Sequence, residues 1–207
     1  MTWWRRNRWG VILVLPALAL AVIASAYRLQ LFWWDYAPHQ ATPGLLGQPV
    51  TFREHEDSDR YPYDLDLTMT VTQVARVERP EGTIRPWTWP TPSGAGWWRV
   101  DLHMVVDPTT PLAGCQLRLV DAGGAWTSYE NTFPGAQNTL PSLPCAPQGT
   151  PGPWSASPAD LAEAAKEPRP ASYDVPVYFL TAADFQPREV WLWFSTPRYI
   201  AVSIPTG

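Results

Sequence analysis

Trp98-Arg99-Val100-Asp101-Leu102-His103-Met104-Val105-Val106-Asp107 carries the clearest pattern in the chain. Trp98, Val100, Leu102, Met104 and Val106 alternate with Arg99, Asp101 and His103. A period of two belongs to a strand with one face in a core and the other in water; a helix would repeat near 3.6. The same alternation recurs on either side. Upstream, Leu65, Leu67, Met69 and Val71 are separated by Asp66, Thr68 and Thr70. Downstream come Leu117 and Leu119, which end at the turn Asp121-Ala122-Gly123-Gly124, with Ala125–Glu130 as the returning hairpin strand. Val175, Val177 and Phe179, then Val190, Leu192 and Phe194, then Ile200, Val202 and Ile204 complete the series. With 50–53, the count is about eight strands. A parallel α/β fold would need long helices between them, and the sequence holds none. One short helix is expected, with Ser157 as N-cap, Pro158 at the first helical position and a stop at Pro168.

Composition narrows the class. Thirteen Trp in 207 residues exclude a disordered chain, and 24 Pro spread along it exclude a helical bundle. The net charge is −4; three of the fifteen basic residues precede Arg28, so the remainder carries twelve against nineteen acidic ones, a net of −7. Such a balance argues against nucleic acid as a partner, because phosphate contacts need a basic surface.

Residues 9–27, between Arg8 and Arg28, hold no formal charge and are mostly Val, Ile, Leu and Ala. At 1.5 Å per residue they span about 28 Å, close to the hydrocarbon thickness of a bilayer. Arg5, Arg6 and Arg8 precede the run, which places residues 1–8 in the cytoplasm as a basic tail and the rest outside. Trp3, Trp4 and Trp9 on one side and Phe32, Trp33, Trp34 and Tyr36 on the other read as paired interfacial belts. The alternative is a signal peptide cleaved after Ala26, within Ala24-Ser25-Ala26. Residues 28–48 are expected to be a juxtamembrane tether, with 37–49 a Pro- and Gly-containing linker, and 49–207 an extracytoplasmic β domain.

Outside the cytoplasm a lone pair of cysteines oxidises, so Cys115 and Cys145 are expected to form a disulfide with Cα atoms within about 7 Å. Closing that loop would stabilise the fold by roughly 3–4 kcal/mol in the chain-entropy treatment.

Catalytic signals are lacking. His39, His55 and His103 are far apart, and no HExxH, G-x-S-x-G, P-loop or dinucleotide fingerprint appears. The chain is therefore expected to be no enzyme and to need no cofactor. Glu54-His55-Glu56-Asp57-Ser58-Asp59, with Asp64 and Asp66, is dense enough in oxygen to consider Ca²⁺. Tyr61 and Pro62 stand where a calcium loop needs its third ligand and glycine, so a solvated turn is the better reading and a metal-dependent envelope enzyme the weaker alternative. Tryptophan is the more informative residue. Trp87 and Trp89 lie in a Pro-rich loop, and Trp191 and Trp193 have the parity opposite to Val190, Leu192 and Phe194. These four form the candidate binding surface, for an envelope protein, a glycan or a membrane surface. Against it stands burial of the Trp191 and Trp193 pair under the 131–157 loop or the short helix.

The segments Leu67–Val74, Trp98–Asp107, Leu117–Gly124, Tyr173–Leu180 and Val190–Phe194 together resemble the immunoglobulin-like exported domains of small secreted mycobacterial antigens, over about residues 50–204. Asp107-Pro108 replaces the strand-ending Asn usual in that family. The whole chain, with its Trp3-Trp4-Arg5-Arg6-Asn7 start and fourteen Arg to a single Lys166, is similar to actinobacterial-type single-pass membrane proteins of unknown function. The resemblance implies an all-β, immunoglobulin-like antiparallel β-sandwich behind one N-terminal transmembrane helix, and no catalytic residues. The expected role is a membrane-anchored envelope protein whose outer domain is a binding or assembly module. The alternative is a secreted sandwich that binds glycan or protein through exposed Trp.

Overall fold

In the computed structural model the described residues are 3–29, 36–57, 60–81, 87–136 and 139–205. Helix α1, Trp3–Leu29, comes first and carries Pro16 inside it. Its stretch Asn7–Arg28 is long and apolar enough to cross a membrane, and none of it is covered by the rest of the chain. Ile12, Leu15, Leu20 and Ile23 all stand exposed. An all-apolar helix surface of this kind needs lipid or a partner around it. The outer aromatic belt, Phe32, Trp33 and Trp34, lies outside the described residues.

The remainder is mostly β. One sheet has the order β1-β9-β8-β5-β6, with β1 Gln40–Leu45, β5 Gln116–Asp121, β6 Trp126–Ser128, β8 Pro187–Trp193 and β9 Arg198–Ser203. The other has the order β2-β3-β4-β7, with β2 Val50–Glu56, β3 Tyr63–Val77, β4 Ala95–Val106 and β7 Ser172–Ala182. All pairings are antiparallel except β1 with β9. The alternating residues face one another across the two sheets. Leu67, Met69, Val71, Val100, Leu102 and Met104 of one meet Leu117, Leu119, Val190, Leu192, Ile200 and Val202 of the other in one core.

Two expectations are corrected. The stretch 37–49 is not only a linker, because β1 runs through it. Pro43 is tolerated there since β1 is an edge strand. Gly44 is required because a Cβ would collide with the Val50 side chain and press on that of Val202. The chain then crosses from one sheet to the other, with Gly47 at φ +78° donating its N–H to the Val71 carbonyl. Second, Trp98 is only half-buried against the main core, whereas Trp97, on the opposite face, is fully buried. The 121–124 turn forms as read. The Asp121 carboxylate accepts from the N–H groups of Gly123 and Ala125, and Gly124 takes φ +81°. Helix α2, Pro158–Ala164, also forms, and the Ser157 hydroxyl accepts from the Asp160 N–H at 3.1 Å.

Candidate functional site

Trp87 and Trp89 do not present an open surface. Trp87 is 5% exposed and Trp89 half-buried. They fold back on the outer face of the β2-β3-β4-β7 sheet, where Trp97 and Tyr178 project from β4 and β7. Trp87 meets Trp97 edge-to-face at 5.5 Å between ring centroids, Phe133 packs on Trp97 at 5.2 Å, and Trp89 stacks on Phe133 at 5.7 Å. Leu140 closes the group. Polar ties hold the cover down: Trp97 Nε1 donates to Thr91 Oγ1 at 3.0 Å, and the Tyr178 hydroxyl donates to the Glu81 carbonyl at 2.9 Å. The loop's Arg85 and Pro86 lie outside the described residues.

Trp191 and Trp193 keep the outward parity, but Trp193 is 9% exposed and Trp191 half-buried. Arg118 lies over both rings. Its guanidinium carbon sits 5.6 and 5.3 Å from the Trp191 and Trp193 rings and 3.9 Å from Trp126. On the other side Tyr199 packs on Trp191 at 4.6 Å. Trp191 Nε1 donates to the Glu189 carboxylate at 2.6 Å. Burial between the rings pulls the Arg118 pKa down. Such a cation-and-ring ladder covers a sheet face without a second layer of chain. Trp87 and Trp193 are thus committed to internal packing and Trp89 and Trp191 partly so, while Trp126, 57% exposed, stands at the edge of the ladder.

A cleft lies elsewhere, on the connection between β6 and β7. Cys115 and Cys145 are both buried at disulfide distance, with Cα atoms 6.2 Å apart. The Tyr129 hydroxyl donates to the Pro141 carbonyl at 2.6 Å, and the Tyr173 hydroxyl to the Cys145 carbonyl at 2.8 Å. Burial pushes the Tyr173 pKa up to about 12, so it stays a donor at neutral pH. Arg169 is 1% exposed and donates to the carbonyls of Pro151 at 3.0 Å, Asp107 at 2.8 Å and Thr110 at 2.9 Å. These ties hold a cleft of about 390 Å³ whose rim carries Trp154, 60% exposed. Replacing both cysteines by serine is expected to cost about 3–4 kcal/mol in urea unfolding. Equal midpoints for the double variant and the parent under oxidising conditions would contradict the pairing.

Among the described residues the acidic run does not gather into one cluster. β2 and β3 pair antiparallel, which sets Arg53 Nε 2.9 Å from Asp66 and His55 Nδ1 2.7 Å from Asp64. Ser58 and Asp59 lie outside the described residues, and among the described residues no group of three metal-ligating side chains forms. Glu54 and Glu56 turn the other way, toward Tyr63. Burial first, then the charge of Glu56, raises the Glu54 pKa, while Ser195 and Arg198 pull against this. A carboxyl raised in the folded state binds more protons folded than unfolded, so stability falls as pH rises from the unfolded value through the folded one. Glu54→Gln is therefore expected to raise the melting temperature relative to the parent at pH 7 and to lose that advantage at pH 4. The same difference at both pH values would rule out this origin.

One constellation escaped the sequence. His103 Nδ1 lies 2.7 Å from Asp174 Oδ1, and Ser172 Oγ lies 3.2 Å from His103 Nε2. This is the contact order of a hydrolytic relay. The β4/β7 register creates it by placing His103 opposite Asp174 and Val105 opposite Ser172. Its setting differs from that of a working relay. The Asp174 side chain is 81% exposed and that of His103 39%, so both stand in contact with water.

The chain matches no protein-family model, no curated protein and no solved structure.

Proposed function

We propose that this protein is a single-pass membrane protein whose β domain stands outside the cytoplasm as a non-catalytic binding or assembly module of immunoglobulin-like type. The observation that carries the reading is the α1 surface. Within the Asn7–Arg28 stretch, residues 9–27 carry no charge and the helix is uncovered by the domain, with Arg5, Arg6 and Arg8 at its leading end. The strand order supports the fold type. β3, β4 and β7 are neighbours in one sheet and β9, β8 and β5 in the other, the places of A, B, E and G, F, C in an immunoglobulin domain, with β6 as C′. The cysteines stand apart from that family's inter-sheet bridge, because Cys115 precedes β5 and Cys145 lies in the following connection. Membrane fractionation tests the anchor. Retention of the intact 23.2 kDa chain in carbonate-washed membranes is expected, and a shorter soluble chain beginning at Tyr27 would replace it with the secreted alternative.

A second reading, ester hydrolysis through Ser172, has the His103–Asp174 relay in its favour. The exposure of His103 and Asp174 opposes it, so p-nitrophenyl acetate turnover is expected to be unchanged in Ser172→Ala. A tenfold drop in that variant would make the protein a hydrolase.

A further inference from the structure

We infer that the Trp154 cleft is a binding subsite for a neutral polysaccharide; the inference rests on the binding-module reading and supplies its ligand class. Trp154 is exposed to 60% on a segment that is otherwise tied down. Pro151, three residues before it, accepts from the buried Arg169. The intervening Gly152 sits at φ +82°, where a Cβ would lie 2.8 Å from an Arg169 nitrogen. A large apolar ring held in water beside a cleft offers area that a ligand would remove from water on binding.

The lining says what that something is. Asn131, Thr139, Ser142 and Gln148 join Trp154 and several prolines around the cleft, and among the described residues no lining side chain is charged. Amides and hydroxyls match the paired donors and acceptors of sugar hydroxyls. The electron-rich face of an indole receives the weakly positive C–H edges of a pyranose ring. The volume, about 390 Å³, falls within the roughly 300–1,000 Å³ of small-molecule sites. Charge selects against anionic polymers. On its other side Trp154 borders a second depression lined by Asp160, Glu163 and Glu167 with Lys166 alone opposing them, and the chain beyond residue 27 carries a net charge of −7. A proline-rich peptide fits less well. Such ligands dock on grooves lined by several aromatics, and here Trp87 and Trp89 are spent on the packing around Trp97.

Affinity electrophoresis of the full chain in detergent micelles, through gels carrying a soluble glucan, mannan, galactan or arabinan, tests the inference. At least one of these is expected to retard the protein. Trp154→Ala is expected to weaken that binding at least tenfold with an unchanged melting temperature, and Trp154→Phe to restore part of it. Overturning results are no retardation by any of the four, retardation unchanged in Trp154→Ala, or alginate or a polyproline peptide engaging Trp154 in their place. Micelles make the readout independent of where the protein resides, so failure here and failure of the anchor in fractionation are separate outcomes.

Discussion

Arg169→Met is expected to lower the unfolding free energy by about 4 kcal/mol or more, the largest effect of any single substitution considered. Hydrogen bonds from a charged donor contribute roughly 1.5–3 kcal/mol each, and Arg169 makes three of them, two to the 107–110 turn and one to Pro151. Methionine fills a similar volume but takes the donor from the Pro151 and Thr110 carbonyls and leaves the Asp107 carbonyl with the Thr110 N–H alone. A domain of this size is stable by about 5–15 kcal/mol, so the variant would stand near the limit of folding. Arg169→Lys keeps the charge and loses the planar fork, and an intermediate loss is expected. Urea unfolding monitored by circular dichroism measures both. A loss below about 1 kcal/mol in the methionine variant would mean that the loops at 107–110 and 151 do not depend on this side chain. Because Arg169 also supports Gly152 and Pro151, the variant is expected to blunt the Trp154 cleft even where the sheets survive.

Trp97→Ala is expected to cost about 3–5 kcal/mol, the range for removing a large aromatic from a core. Trp97 is fully buried, and three rings, Trp87, Trp89 and Phe133, touch it. Without it, Trp87, Trp89, Phe133 and Leu140 lose the surface they pack on. Acrylamide quenching of the remaining tryptophans is therefore expected to rise along with the fall in stability. Trp97→Phe keeps most of the contact and should cost less. A stable variant with unaltered quenching would show that the aromatic group is not a second core.

These two residues also mark the limit of what the sequence alone discloses. The strands with alternating residues were legible because parity is a local property: Leu102 and Met104 face inward in any register that buries one side. β1 was not legible, since Pro43 and Gly44 interrupt the pattern and only the nearness of Val50 and Val202 explains the glycine. Trp97 has outward parity, and its burial comes from loops folded over it from two distant segments. Trp191 and Trp193 were correctly oriented, but their cover is Arg118 on β5, which reads as an ordinary solvated strand position. Arg169, between Pro168 and Pro170, looks like loop surface; its three partners are brought in by the fold. The His103–Asp174 contact needed the β4/β7 register, which no single segment encodes. Trp154 gave no signal beyond its residue type, because exposure within a tied loop is a tertiary outcome.

The central claim is the placement of the β domain across a membrane from the N-terminus. Paired fusions at Gly207 measure it most directly, one to alkaline phosphatase, which is active only outside the cytoplasm, and one to a fluorescent protein that matures only within it. Phosphatase activity without fluorescence is the predicted result. Fluorescence without phosphatase activity would contradict the account.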